Sequence, residues 1–103
     1  MSLQYSIKMS KDHEEVFASW EINLDMTDDE LISNFELTVN GKHVDTNCSA
    51  GNKACKGAAY TKLSNPEEDC TVTFVISTNK LVEKNGEDFL RGGRPYDEAD
   101  FSS

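Results

Sequence analysis

The stretch EVFASWEINL, residues 15–24, places an apolar side chain at every second position, with Trp20 near its centre. Side chains of a strand point alternately to the two faces of a sheet, so this stretch predicts a strand with one buried and one solvated face. The same alternation recurs in NFELTV (residues 34–39) and in CTVTFVIS (residues 70–77). Half-buried strands of this kind favour an antiparallel β-sandwich.

Weaker patterns outside these three strands raise the predicted number of strands to seven. Asn40-Gly41 predicts a type I′ hairpin, because both residues tolerate positive φ. Asn85-Gly86 predicts a second hairpin turn before a weak last strand. The four additional strands are expected at residues 5–9, 42–45, 58–63 and 87–90.

Two polar segments are predicted to lie outside the sheets. Residues 46–57 are small and polar and are expected to form an exposed loop. Residues 92–103 are rich in glycine, serine and acidic residues, and they predict a frayed, flexible acidic tail. The sandwich itself is therefore expected to span residues 1–91.

Length and composition restrict the class of protein. A chain of 103 residues fits one domain with a single core. Its formal net charge of −9 argues against binding to nucleic acid or to an anionic membrane surface, because both are negatively charged. No apolar run approaches the roughly 20 residues that span a bilayer, and the first residues lack a secretion signal. We therefore expect no membrane insertion, and either an intracellular protein or a domain excised from a longer one.

The order of these features resembles a fibronectin type III domain, within the larger group of immunoglobulin-like sandwiches. Trp20 is similar to the core tryptophan of that family, and Phe35 to the aromatic residue of its third strand. Pro66 and the strand from Cys70 resemble its turn and sixth strand. The resemblance covers residues 5–89, and it implies a seven-stranded sandwich that binds other proteins or acts as a spacer.

Two positions depart from the family pattern. The family places a tyrosine where Cys70 stands, and a thiol is a poor substitute for the hydrogen bond of its hydroxyl group. Residues 80–88 are polar where the family has a compact hairpin. We therefore expect the corner before the Cys70 strand to be looser than usual or closed by other contacts.

The sequence favours a non-catalytic interaction or spacer module. Sandwiches bind through end loops or edge strands, while their sheets supply a rigid frame. The run Asp28-Asp29-Glu30 is one candidate binding site, and it suits a protein partner with a basic surface. Arg91 and Arg94, which flank two glycines, are a second candidate. A receptor or adhesion protein at the cell surface is the favoured host, and an intracellular adaptor or scaffold domain of the same fold is the alternative.

The cysteines bear on the compartment. Cys48 and Cys55 are close in sequence, and a disulfide between them would close a ring worth about 2.5 kcal/mol in chain entropy. Asn47-Cys48-Ser49 is a glycosylation sequon, so Asn47 is a candidate glycosylation site. Both features favour an extracellular setting. Cys70 belongs to the inward series of its strand and is predicted to be a buried apolar residue.

No catalytic residue, bound metal or cofactor is expected. The rival class is a small metal-dependent enzyme in which His43, Cys48 and Cys55 would bind zinc. This set lacks the paired C-x-x-C spacing and a fourth ligand that structural zinc sites have. Neither His43 nor His13 lies beside a nucleophile motif.

Overall fold

The computed structural model of the chain describes residues 3–80 and 83–103, and the regular structure in that part is β-strand throughout. The first two residues of the chain and residues 81–82, in the predicted loop 80–88, lie outside it. The eight strands are β1 (Gln4–Asp12), β2 (Glu15–Asn23), β3 (Ile32–Val39), β4 (Lys42–Val44), β5 (Ala54–Lys62), β6 (Cys70–Thr78), β7 (Glu83–Leu90) and β8 (Tyr96–Ser102).

The strands form two antiparallel sheets of four strands each. Sheet A has the order β5-β2-β1-β8, and sheet B has the order β4-β3-β6-β7. This confirms the prediction of an all-β, antiparallel, two-sheet architecture. The predicted number of seven strands is wrong by one, because the chain adds β8 to the edge of sheet A.

The core lies between the sheets and is built from the alternating positions that the sequence singled out. In β2 the even-numbered residues from Val16 to Ile22 are buried, and in β6 so are the even-numbered residues from Cys70 to Thr78. Trp20 of sheet A meets Phe35 of sheet B edge to face, with ring centroids 5.9 Å apart. Cys70 is 0% exposed, which confirms its predicted burial.

The hairpin between β3 and β4 is confirmed. Asn40 and Gly41 both have positive φ, at 50° and 78°, as a type I′ turn requires. Val39 pairs with Lys42 across the turn. The turn is also tied to the start of β6, because the Asn40 carboxamide accepts a hydrogen bond from the Thr71 amide at 2.9 Å.

The predicted frayed tail over residues 92–103 is wrong where β8 forms. Residues 96–102 pair antiparallel with β1, with Met9 opposite Ala99 and Ile7 opposite Phe101. Ala99 is buried in the core. The apolar signal of β8 is confined to Ala99 and Phe101, between exposed acidic residues, so composition alone indicated a solvated segment. The sandwich therefore extends well past the predicted boundary at residue 91.

The second predicted hairpin, at Asn85-Gly86, is also wrong. Both residues lie inside β7, where Gly86 pairs with Phe74 of β6. A Cβ atom on Gly86 would lie 2.7 Å from the Phe74 ring and 3.2 Å from the ring of Phe101. Glycine is needed here because two aromatic rings pack against the strand backbone, and not because the chain turns.

A second glycine performs the same function in sheet A. Gly57 of β5 lies opposite Trp20 of β2, and a Cβ atom there would lie 2.8 Å from the indole ring. The indole N–H group is buried and has no hydrogen-bond partner among residues 3–80 and 83–103. The largest side chain of the core therefore packs directly against the backbone of an edge strand.

We expect Gly57→Ala to destabilise the protein by about 1–3 kcal/mol, because the added methyl group overpacks the core against the Trp20 ring. Urea denaturation measures the change in the free energy of unfolding. In a Trp20→Phe background, where the ring is smaller, the same substitution should cost less. An equal cost in both backgrounds would show that the contact with Trp20 is not the cause.

Candidate interaction surfaces

The acidic loop between β2 and β3, residues 25–30, is a folded turn organised by one lysine. The Lys53 ammonium group donates to the carbonyl oxygens of Asp25 and Glu30, at 2.9 and 2.7 Å, and lies 3.4 Å from the Asp28 carboxylate. Hydrogen bonds from the Thr27 amide and hydroxyl groups to the Asp25 carboxylate lower the pKa of Asp25. Lys53 therefore fixes the acidic loop at both its first and its last residue.

A second lysine ties the acidic loop to the end of β6. Lys80 lies 2.6 Å from the Asp29 carboxylate, and this hydrogen-bonded ion pair lowers the pKa of Asp29 and raises that of Lys80. The Asn79 side chain donates to the Asp29 carbonyl and accepts from the Leu31 amide. These contacts give the predicted carboxylates intramolecular partners.

Of the three predicted carboxylates, Glu30 faces the interior. It is 4% exposed, and its carboxylate accepts a hydrogen bond of 2.7 Å from the hydroxyl group of buried Thr78. A partner cannot reach this carboxylate while the loop is folded. The side chains of Asp28 and Asp29 are 37% and 88% exposed, and a binding role for these two stays a prediction.

The structure brings Cys48 and Cys55 together. Both are free thiols, Cys55 lies within β5 rather than in the predicted loop, and Cys48 packs against the core cluster that contains Cys55. Burial, reinforced by the contact with Cys55, raises the pKa of Cys48 to about 12. The predicted disulfide stays a prediction, and the contact between the thiols is compatible with it. Asn47 is exposed with a φ of 50°, so the predicted sugar site is accessible.

His43 lies on short β4, exposed, and opposite Thr38 of β3. In the described part of the chain, no three histidine, cysteine or acidic side chains gather as a metal site would require. The rival hypothesis of a zinc centre at His43, Cys48 and Cys55 therefore gains no support from the geometry.

The connection between β7 and β8, residues 91–95, is held by a buried lysine that is not among the predicted site residues. Lys11 of β1 is 1% exposed, and its ammonium group donates to the carbonyl oxygens of Arg91 and Arg94, at 3.2 and 2.7 Å. Lys11 continues the inward series of Ile7 and Met9, and that parity is the signal that could have identified it.

Further hydrogen bonds close this end of the sandwich. The Asp97 carboxylate accepts from the Arg91 amide at 2.8 Å, which lowers the pKa of Asp97. The Gly92 amide donates to the Asp69 carboxylate at 2.8 Å, and the Gly93 amide to the Pro66 carbonyl at 3.3 Å. These contacts close the corner before β6.

The same loop determines how Arg91 and Arg94 are presented. Their carbonyl oxygens are turned toward Lys11, while both residues are exposed. The positive charges of Arg91 and Arg94 help to lower the pKa of Asp97, and the loop backbone also lies beside Glu67 and Asp69, so this end of the sandwich carries both signs of charge. A binding role for the two arginines stays a prediction.

A different surface, which we call the basic flank, consists of the edge strands β4 and β5. These strands contact each other along one side of the sandwich. They contain three exposed lysines, Lys42, Lys56 and Lys62, and no carboxylate. The net charge of the chain is −9, so the strands of this surface carry a charge opposite in sign to that of the whole protein.

An exposed aromatic side chain lies within the basic flank. Tyr60 of β5 is 70% exposed, and its ring lies 4.8 Å from that of Phe17, centroid to centroid. An open groove of about 560 Å³ beside it is lined by Glu15, Lys42, Tyr60, Thr61 and Lys62. Exposed aromatic residues are enriched at protein-binding surfaces.

The opposite side, which we call the acidic flank, consists of the edge strands β7 and β8, which also contact each other. Hydrogen bonds from Tyr96 (2.8 Å) and from Lys8 lower the pKa of Glu98. The flank contains one lysine, Lys84, and six carboxylates: Glu83, Glu87, Asp88, Asp97, Glu98 and Asp100.

Comparison of the chain with protein-family models, with curated proteins and with solved structures finds no match. No helix in the part of the chain that the structure describes has the length and apolar character to cross a membrane.

We expect Lys11→Met to destabilise the protein by about 1–3 kcal/mol, because the carbonyl oxygens of Arg91 and Arg94 lose their buried donor. Amide hydrogen exchange in β8 should also accelerate, since the connection that positions this strand is loosened. Lys8→Met is the matched control on the same strand, because the Lys8 side chain is 48% exposed. Equal effects of the two substitutions would contradict a specific role for Lys11.

We expect a mild oxidant to join Cys48 to Cys55 within one molecule, because their thiols are already in contact. The intact mass then falls by two hydrogen atoms, and a thiol reagent applied after unfolding labels only Cys70. Cys48→Ser is the control, since it should prevent the mass change. An intermolecular dimer, or labelling of all three thiols after oxidation, would contradict the prediction.

Proposed function

We propose that this domain is a non-catalytic protein-interaction module of the fibronectin type III-like kind, and that its acidic flank binds a partner with a basic surface. The observation that carries the proposal is the grouping of six carboxylates on two adjacent edge strands. Charge on an edge favours partners of opposite sign and rejects those of the same sign.

The arrangement of the strands supports the proposal of a fibronectin type III-like domain. In an immunoglobulin-type sandwich the third, sixth and seventh strands share one sheet, and the first, second and fifth strands share the other. Here β3, β6 and β7 lie in sheet B, and β1, β2 and β5 lie in sheet A. The added β8 lengthens sheet A beside β1, at the position that would otherwise be its edge.

The acidic flank is a better candidate than the acidic loop that the sequence suggested. Asp28 and Asp29 already lie close to Lys53 and Lys80, and a partner would have to compete with those lysines. Glu87 and Asp100 are exposed on strands that face solvent along one edge. A positively charged side chain of a partner can therefore approach these two carboxylates without displacing Lys53 or Lys80 from the acidic loop.

Edge strands also supply a second means of recognition. An extended segment that lies beside an edge strand can form main-chain hydrogen bonds with it, while its alternate side chains meet the neighbouring surface. A basic segment laid along β8 would meet Asp100 on the outer face of sheet A, beside the Glu98 carboxylate that Lys8 and Tyr96 already contact. Main-chain pairing then provides affinity, and charge provides selectivity.

We place the module, as a proposal, in a larger protein at the cell surface. The contact between Cys48 and Cys55 and the exposure of Asn47 support an oxidising compartment. The alternative, an intracellular adaptor of the same fold, retains the acidic flank and differs in the redox state of these thiols.

We expect an extended, lysine-rich peptide to bind the domain, with an affinity that falls as the salt concentration rises. Titration calorimetry measures the affinity, and amide chemical shifts locate the peptide on β7 and β8. The double variant Glu87→Lys/Asp100→Lys should weaken binding at least tenfold, since it reverses one charge on each strand of the acidic flank.

Glu67→Lys/Glu68→Lys is the matched control, because it changes the net charge equally at two exposed residues of the loop before β6. It should retain most of the affinity. If both double variants lost the same affinity, net charge alone would explain the binding and the proposed site would be wrong.

A further inference from the structure

The two flanks of the sandwich are complementary to each other. The strands of the basic flank contain Lys42, Lys56 and Lys62 and no carboxylate, and those of the acidic flank contain six carboxylates and one lysine. Glu14, 3.9 Å from the Lys62 ammonium group, and Glu15 lie beside the basic flank. Because the flanks lie on opposite sides of one molecule, they cannot meet within it. They can meet between two copies.

The strand directions permit this contact in both sheets at once. In sheet A, successive neighbours from β5 to β8 are all antiparallel, so β5 and β8 run in opposite directions. In sheet B the same holds for β4 and β7. A second copy placed beside the first in the same orientation therefore presents β5 antiparallel to β8, and β4 antiparallel to β7.

One register of the β5–β8 contact satisfies two side-chain pairs on the outer face of sheet A. Lys56 and Tyr60 are four residues apart on β5, and Tyr96 and Asp100 are four residues apart on β8. In the antiparallel register that places Lys56 opposite Asp100, Tyr60 lies opposite Tyr96. Ion pairs and aromatic pairs are the cross-strand contacts that stabilise antiparallel sheets.

We propose that the basic flank of one copy binds the acidic flank of a second copy of this chain, with β5 of one molecule extending sheet A of the next beyond β8. This rests on the proposed function, since it names the basic partner that the acidic flank takes. The contact joins two different surfaces, so it can repeat from copy to copy.

The charges also select this contact over the symmetric ones. Pairing β5 with β5 would bring lysines together, and pairing β8 with β8 would bring carboxylates together, so both symmetric dimers are disfavoured. Charged edge strands normally prevent association of like edges. Here the two edge strands of sheet A carry opposite charges, so the charges favour the pairing of β5 with β8.

Sedimentation velocity of the full chain tests the proposal. At low salt the wild-type protein should form species larger than a dimer as its concentration rises, and at high salt it should sediment as a monomer. Two double variants, Lys42→Glu/Lys56→Glu and Glu87→Lys/Asp100→Lys, should each be monomeric at low salt, because each places like charges at positions 56 and 100, which face each other in the proposed register.

Mixing the two double variants provides the decisive control. Position 56 of each variant then meets a residue of opposite charge at position 100 of the other variant, so the equimolar mixture should recover the large species. The Glu67→Lys/Glu68→Lys variant changes net charge outside the flanks, and it should assemble like the wild type.

Three results would overturn the proposal. They are a wild-type protein that is monomeric at every concentration and salt, a dimer that charge reversal does not affect, and a mixture of the variants that stays monomeric. If the wild type stays monomeric while the lysine-rich peptide still binds β8, the self-association is wrong and the proposed function stands. If the peptide does not bind either, both fail.

Discussion

The contact on which the architecture depends is that of buried Lys11 with the carbonyl oxygens of Arg91 and Arg94. The chain leaves sheet B at the end of β7 and enters sheet A at the start of β8, and residues 91–95 make this crossing. Burying an ammonium group is costly unless its donors are satisfied, so the carbonyl oxygens must stay in place for Lys11 to be buried. The lysine thereby fixes the position of β8, and β8 carries half of the carboxylates of the acidic flank.

The two ends of the sandwich and its two flanks have different roles. At one end, Lys53 and Lys80 organise the acidic loop. At the other end, Lys11 and the carboxylates of Asp69 and Asp97 organise the β7–β8 connection. These lysines and carboxylates contact backbone atoms and neighbouring charges, so their main role is to stabilise the fold. The flanks are different, because their exposed lysines and carboxylates are spread along edge strands whose outer backbone groups are available for pairing.

Period-two alternation was sufficient to predict β2, β3 and β6, since a half-buried strand shows its inner face directly in the sequence. It failed for β8, where Ala99 is the buried residue between exposed acidic ones. At Asn85-Gly86, local turn preference was overridden by the packing of Phe74 and Phe101 against Gly86. The flanks were not predictable, because they exist only once strands distant in sequence lie on the same side of the molecule.

The pairing of β1 with β8 has a consequence for any longer protein that contains this domain. The Ser103 amide donates to the Tyr5 carbonyl at 3.0 Å, so the beginning of the first strand and the end of the last lie side by side. A polypeptide would enter and leave the sandwich at the same end. Such a sandwich suits insertion into a loop of a host protein, because its two ends lie next to each other.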